Sequence, residues 1–177
     1  MILYHGTDVD SAISICDRII LGRNSSENLD FGPGFYTTIS KESAIKWAYR
    51  KARVRKRKPA VVSIDFNYDK ALSDNKIVSF KNDLRWGRFI INNRNGYNYI
   101  DKVSFKEHNL DIKYPITYGR IADYDILDVA DKLYESGDLL LSIDEILNPF
   151  YSYQYAFHTL DSLSYIEKKN YVIIEEA

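Results

Sequence analysis

The sequence is poor in cysteine and methionine, with one of each among 177 residues, and it has no long apolar run. The single cysteine, Cys16, has no partner for an internal disulfide, which is typical of a reducing compartment. No stretch approaches the roughly 20 apolar residues that a membrane-spanning helix needs. Charged Asp8 and Asp10 interrupt the first residues before any apolar segment of a secretion signal. We therefore expect a cytoplasmic protein with no membrane partner.

Several common functional motifs are also missing. The three histidines, His5, His108 and His158, are far apart, and no H-x-x-x-H spacing or cysteine pair occurs, so we expect no metal site. No G-x-x-x-x-G-K-[ST] sequence is present to form a phosphate-binding loop. The glycines at 32 and 34 do not form G-x-G-x-x-G, which argues against a Rossmann dinucleotide site. No local base identifies a serine or cysteine nucleophile.

The charge is distributed unevenly along a chain of ordinary composition, with 45% apolar and 28% charged residues. Residues 1–60 carry eleven Lys and Arg against six Asp and Glu, a net charge of +5. Residues 61–120 carry +3, and residues 121–177 carry three against twelve, or −9. A basic first part suits an anionic substrate and an acidic last third suits a partner, although solvated faces of unlike sign explain the pattern equally well.

The order of predicted elements indicates one α+β domain over residues 1–177. Alternating or β-branched segments predict strands at residues 1–5, 35–39, 60–66, 77–80, 112–122, 153–159 and 171–174. Capping residues predict helices that begin after Asp8 or Asp10, Ser40, Asn82 or Asp83, and Asp123 or Asp125, with a short helix at the Ser142/Glu145 capping box. Strands and helices do not alternate regularly, which favours α+β over a doubly wound sheet.

A basic run at residues 50–58, RKARVRKRK, ends the second predicted helix before Pro59. Clustered lysine and arginine bind phosphate groups, so the run is a candidate nucleic-acid contact. Cations also stabilise the last turn of a helix through its dipole, which explains the run without a ligand. Both interpretations stay open.

Two strand-like segments carry polar and glycine residues where a core strand would be apolar. They are YHGT at residues 4–7 and FGPGFYTT at residues 31–38. Glycine permits a close backbone approach, while histidine and tyrosine supply hydrogen bonds and a flat stacking surface. Together they predict two sides of a cleft for a flat, polar small molecule.

Five segments in order, LYHGT, DFGPGFYTT, AIKWA, YGRIAD and YQYAFHT, resemble the ADP-ribosyltransferase superfamily. The sequence is similar to the branch with a His, Tyr and acidic-or-amide signature, and within it to a bacterial family of domains of unknown function. The resemblance implies a split β-sheet core, two packed antiparallel or mixed sheets with flanking helices, that holds NAD in its cleft as co-substrate.

The resemblance also implies roles for individual residues. His5 would bind a hydroxyl of the adenosine ribose, the Gly6 backbone would hold the nicotinamide carboxamide, and Tyr36 would stack on the nicotinamide ring. The implied catalytic set is His5, Tyr36 and Gln154, and the implied cofactor-binding set is His5, Gly6, Thr7, Gly34, Phe35, Tyr36 and Asp123, with no metal.

By the same resemblance, Gln154 would occupy the position of the superfamily's catalytic glutamate. Its amide can hold a ribose hydroxyl, but it has no charge and cannot act as a general base. The substrate itself or a carboxylate such as Asp123 would supply the base. Asp30 and Arg120 are further candidate site members, and we expect Trp47 to anchor its helix to the core.

These observations predict an NAD-dependent mono-ADP-ribosyltransferase, a glycosyltransferase that modifies a protein or nucleic-acid acceptor. By resemblance, it would be a bacterial toxin of a toxin–antitoxin pair, with a small antitoxin protein as partner. One alternative is a catalytically inactive module that binds NAD or a nucleotide. Another is an ADP-ribosyltransferase directed to nucleic acid by residues 50–58.

Overall fold

The computed structural model describes residues 1–22, 29–122 and 152–175. The strands in this part of the chain are β1 (Ile2–Asp8), β2 (Phe35–Thr38), β3 (Pro59–Phe66), β4 (Ile77–Ser79), β5 (Ile116–Arg120), β6 (Tyr153–Phe157) and β7 (Ile166–Ile173). The helices are α1 (Val9–Asp17), α2 (Lys41–Arg55), α3 (Tyr68–Ser73), α4 (Leu84–Asn95) and α5 (Tyr97–Ile100), with a 3₁₀ turn at Asp161–Tyr165.

All seven strands belong to one mixed sheet, in the order β4-β5-β6-β2-β1-β3-β7. Every neighbouring pair is antiparallel except β4 and β5, which are parallel. The expectation of an α+β fold is confirmed. Because β2 and β6 are distant in the sequence but adjacent in the sheet, residues from both ends of the chain meet at its centre.

Three helices begin at the capping residues that the sequence predicts. The side chains of Asp8, Ser40 and Asp83 each accept a hydrogen bond from a main-chain N–H three residues later, at 3.1 Å in every case. Such a bond satisfies one of the donors that the first helical turn leaves without a partner. Local chemistry therefore decides where α1, α2 and α4 start.

The two faces of the sheet carry separate apolar clusters. One face packs β1, β3, β5 and β6 against α1 and α3, with Leu3, Ala12, Ile64, Phe66, Ala71, Ile116 and Phe157 in its core. On the other face, α4 covers β2 and β6 through Trp86, Phe89 and Ile90. On the same face as α4, α2 packs on β1 and β3 through Ala44, Ala48 and Val61. Because the small alanines allow close packing, α2 lies directly on β1.

Some elements differ from the prediction. The last strand begins at Ile166, earlier than expected, because it pairs along nearly all of β3. The capping residues predict where the first helix begins but not where it ends, and α1 ends at Asp17. The predicted helices that start near Asp123 and at Ser142 fall outside the described residues. No helix in the described ranges is long and apolar enough to cross a membrane.

Candidate functional site

Near the centre of the sheet, β1 and β2 are the neighbouring strands with the fewest paired residues. The two strands share a single register pair, Tyr4 with Thr38, whereas β1 and β3 share seven. Strand edges that do not pair leave main-chain N–H and C=O groups that need other partners. The motif residues of the two polar segments lie at this junction.

His5 supplies one of those partners. Its Nδ1 lies 2.6 Å from the main-chain oxygen of Tyr36. A carbonyl oxygen only accepts, so Nδ1 carries the proton and, in the neutral ring, Nε2 is an acceptor. Burial lowers the pKa of His5, more strongly than the bond to Tyr36 raises it, so the ring is neutral at pH 7.

The Nε2 atom of His5 is open to a ligand. It has no hydrogen-bond partner among the described residues. In the same part of the chain no buried side-chain nitrogen or oxygen lacks a partner, so Nε2 is reached by solvent. The imidazole is half-buried and stacks on Phe35, with ring centroids 4.8 Å apart. The ring is therefore fixed in orientation while presenting an acceptor.

Glycine is required at position 6 by helix packing, which the sequence alone did not predict. A Cβ atom at this position would lie 1.9 Å from the main-chain oxygen of Ala44 and 2.8 Å from the nitrogen of Ala48. The close approach of α2 to β1 thus requires glycine, whether or not a ligand binds its backbone. Its neighbour Thr7 is buried, at 4% exposure, so its side chain offers little surface to a ligand.

The hydroxyl group of Tyr36 both donates and accepts a hydrogen bond. The hydroxyl donates to the oxygen of Gly32 at 2.6 Å and accepts from the N–H of Phe31 at 2.9 Å. Burial raises the pKa of Tyr36, and the nearby Asp30 charge raises it further. The ring is half-buried and lies nearly parallel to that of Phe31, at 15°. The tyrosine therefore stays protonated, and its hydroxyl stabilises the glycine-rich loop at residues 31–34.

The glycine-rich loop is also fixed to His158. The main-chain oxygen of Pro33 accepts from His158 Nδ1 at 2.6 Å, and Thr117 Oγ1 lies 2.9 Å from Nε2. A Cβ on Gly34 would lie 2.7 Å from the same Nδ1. Gly34, predicted to contact a cofactor, therefore allows β2 to approach the histidine that follows β6.

Gln154 lies on β6 in register with Thr38 of β2. Tyr36, two residues from Thr38, shares its face of the sheet, and such diagonal neighbours are about 7 Å apart. Gln154 is buried, at 7% exposure, and its Nε2 donates to Asp30 Oδ2 at 2.6 Å. Its Oε1 has no partner in the described part of the chain and, by the same argument as for His5, is reached by solvent.

The Asp30 carboxylate is the buried acceptor shared by several hydrogen bonds, including the one from Gln154. Its Oδ1 accepts from Arg94 Nε at 2.8 Å and from a second guanidinium nitrogen of Arg94, and its Oδ2 also accepts from the N–H of Ala122 at 3.1 Å. From the sequence, Asp30 was only a candidate site residue, and Arg94 was not predicted to belong to the site. Arginine near the end of α4 carries no distinguishing local pattern, so only the folded chain brings the pair together.

The structure thus assembles His5, Tyr36 and Gln154 on three consecutive strands, β1, β2 and β6. By strand alternation His5 lies on the Phe35 side of the sheet, and Tyr36 and Gln154 lie on the other. Asp123 lies outside the described residues, although it follows Ala122 directly. His, Cys, Asp and Glu form no group of three or more that could hold a metal ion within residues 1–22, 29–122 and 152–175.

Part of the basic run at residues 50–58 has a structural function. Arg55 and Arg57 bind the carboxylate of Asp8, at 2.6 and 3.2 Å, and the side chain of Asp8 is fully buried. The expectation that Trp47 anchors α2 to the core is wrong. Its ring is half-buried, outside the apolar clusters, and the Arg50 guanidinium lies 5.2 Å from its centroid.

These features define an α+β protein with a candidate small-molecule site at the junction of β1, β2 and β6. The chain belongs to the DUF3990 family, described as proteins of unknown function, whose model matches residues 1–167. Comparison with curated proteins and with solved structures gives no match.

Proposed function

We propose that this protein is an NAD-dependent mono-ADP-ribosyltransferase. The observation that carries the proposal is the placement of His5, Tyr36 and Gln154 on three consecutive strands at one junction of the sheet, from positions that are far apart in the sequence. The order of these three residues and their flanking motifs resemble the His-Tyr-acidic-or-amide branch of the superfamily. A ligand that crosses the sheet at this junction would reach His5 on one face and Tyr36 and Gln154 on the other.

The single pair between β1 and β2 supports a split-sheet interpretation. On one side of the junction lie β1, β3 and β7, and on the other lie β2, β6, β5 and β4. We propose that NAD binds across this junction, with a ribose at His5 and the nicotinamide end toward Tyr36 and Gln154. The unpaired strand edges supply main-chain groups for the carboxamide.

The oriented side chains suit a ligand with hydroxyl groups. His5 Nε2 and Gln154 Oε1 are both acceptors, because the other polar atom of each side chain is already donating. Ribose hydroxyls are donors that match them. When the bond between nicotinamide and ribose breaks, the pair of electrons leaves with nicotinamide and the ribose becomes oxocarbenium-like. Positioning of the ribose and a carbonyl dipole near the cation lower the barrier. The acceptor then forms a bond to that carbon and loses its proton to water.

We propose further that the acceptor is a macromolecule and that the protein acts as a bacterial toxin in the cytoplasm. The acidic residues 121–177, with a net charge of −9, support a role for this part of the chain in binding a small antitoxin protein. Basic antitoxin surfaces would complement that charge.

The proposal is tested with labelled NAD, cell lysate and purified protein, by following nicotinamide release and transfer of label. Gln154→Ala and His5→Ala are the variants, and Asp101→Asn, at an exposed aspartate, is the matched control. We expect transfer by the wild type and the control and a loss of at least about tenfold in each site variant. Binding of NAD without turnover by wild type would instead identify a binding module. Absence of binding would overturn the proposal.

A further inference from the structure

Asp30 is positioned to control the orientation of the Gln154 amide. The carboxylate is buried, at 6% exposure, and both of its oxygens are engaged. One oxygen receives the guanidinium of Arg94, and the other receives the N–H of Ala122 and the Nε2 of Gln154. With both oxygens occupied, Asp30 acts on a ligand only through its neighbours.

The contact fixes which end of the Gln154 amide faces inward. An ionised carboxylate only accepts hydrogen bonds, so the NH₂ group must face Asp30 across the 2.6 Å contact. The carbonyl oxygen Oε1 is then directed away from Asp30. Without the carboxylate, the NH₂ and oxygen ends of the amide would compete for the same place, and the outward group would be a mixture of donor and acceptor.

Arg94 fixes the position of the Asp30 carboxylate. Its guanidinium donates through Nε and a terminal nitrogen to one carboxylate oxygen, and its side chain is only 9% exposed. Charge-assisted bonds of this kind are about twice as strong as bonds between neutral groups. Because Arg94 donates to Oδ1, the other oxygen, Oδ2, remains as the acceptor for the Gln154 NH₂ group.

We infer that Asp30 is a positioning residue that holds Gln154 Oε1 outward as a hydrogen-bond acceptor for a hydroxyl of the bound ribose. This inference rests on the proposed function for its ligand, and on the contacts of Asp30 for its geometry. It also gives a reason for glutamine at this position. A glutamate carboxylate has no N–H to donate across the 2.6 Å contact with Asp30, whereas the glutamine amide does.

The experiment moves the charge between the two positions. Asp30→Asn, Gln154→Glu and the double variant are compared with wild type for NAD affinity and for the kcat and KM of nicotinamide release. In the double variant the amide introduced at position 30 donates to the carboxylate introduced at position 154, which leaves a carboxylate oxygen outward. The N–H of Ala122 loses its acceptor in Asp30→Asn and in the double variant alike, so this cost cancels when the two are compared. We expect losses of at least about tenfold in each single variant and a recovery of at least several-fold in the double variant relative to Asp30→Asn. Asp101→Asn, at an exposed carboxylate, should match wild type.

A double variant whose losses multiply, instead of recovering, overturns the positioning inference while leaving the transferase proposal intact. A wild type that neither binds nor cleaves NAD overturns the proposed function. In that case the same four proteins are compared by thermal unfolding, which needs no ligand. Recovery of the melting temperature in the double variant supports the Asp30–Gln154 coupling, and additive losses overturn it.

Arg94→Lys, which keeps the charge but not the two-nitrogen contact, should lower NAD affinity less than Arg94→Met.

Discussion

The imidazole of His5 donates from Nδ1 to the main-chain oxygen of Tyr36 at 2.6 Å, so a side chain of β1 bonds the β2 backbone where the two strands no longer pair. This bond fixes the tautomer and directs Nε2 away from Tyr36. The same contact links the two polar segments that the sequence singles out. It makes His5 both a structural tie across the junction and the acceptor for a ligand.

Affinity for NAD should therefore depend on the protonation of His5. The pKa of His5 is lowered, first by burial, so the neutral ring with a free acceptor predominates above pH 6.5. Calorimetric titration should show an affinity that is constant above about pH 6.5 and weakens as the pH falls through the lowered pKa. His5→Gln should bind NAD at least about tenfold more weakly and lose this pH dependence. Affinity that increases on acidification would contradict the acceptor role.

Removing the charge of Asp8 should destabilise the fold. Burial raises the pKa of Asp8, but hydrogen bonds from the Ser11 N–H and hydroxyl, Arg55 and Arg57 outweigh it, so the pKa lies well below its usual range. Asp8→Asn keeps a helix cap but loses the charge, and we expect a loss of about 2 kcal/mol in the free energy of unfolding at pH 7. Because the folded-state pKa is depressed, the advantage of wild type should shrink as the pH falls below about 4.

Arg53→Gln is the matched control for this pair. Arg53 belongs to the same basic run and is exposed, and α2 places it away from Asp8. Urea unfolding of Arg53→Gln should fall within about 0.5 kcal/mol of wild type. Equal losses in Asp8→Asn and Arg53→Gln would show that general charge, and not the Asp8 contacts, stabilises the protein.

His158 should make the protein sensitive to mild acid. Burial lowers the pKa of His158 from 6.5 to about 4, while the bond to Pro33 opposes the shift only in part. Because the unfolded chain takes up the proton first, stability is complete above pH 6.5 and falls between pH 6.5 and about 4. At about 1.4 kcal/mol per pKa unit, the loss is about 3 kcal/mol. Chemical unfolding at several pH values should show this slope, and His158→Gln should flatten it. An unchanged slope in the variant would assign the effect to other groups.

Gly6→Ala should disrupt the packing of α2 on β1. The added Cβ would lie 1.9 Å from a main-chain oxygen of the helix, and a backbone atom cannot move aside as a flexible side chain can. We expect a loss of about 3 kcal/mol in the free energy of unfolding. Gly22→Ala is the comparison: Gly22 has a φ of +82° and no atom within 4 Å, so its cost is about 1 kcal/mol of backbone strain. A smaller loss at Gly6 than at Gly22 would contradict the close packing.

The sequence by itself determined the features that depend on neighbours along the chain. The starts of α1, α2 and α4 follow from Asp8, Ser40 and Asp83, because each cap bonds an N–H only three residues away. The strand positions follow in the same way from alternation within a few residues. The resemblance in ordered motifs selected His5, Tyr36 and Gln154 as a set without showing how they meet.

Only the tertiary structure decided how those residues are held. Asp30 and Gln154 are separated by 124 positions, and they touch because β2 and β6 are neighbours in the sheet. Glycine is required at position 6 because α2 packs against β1 on the face to which a Cβ atom would point. The basic run contributes cations to Asp8, which no local pattern predicts. A contact of this kind depends on the order of the strands, which results from packing the whole chain and is not encoded in any one segment.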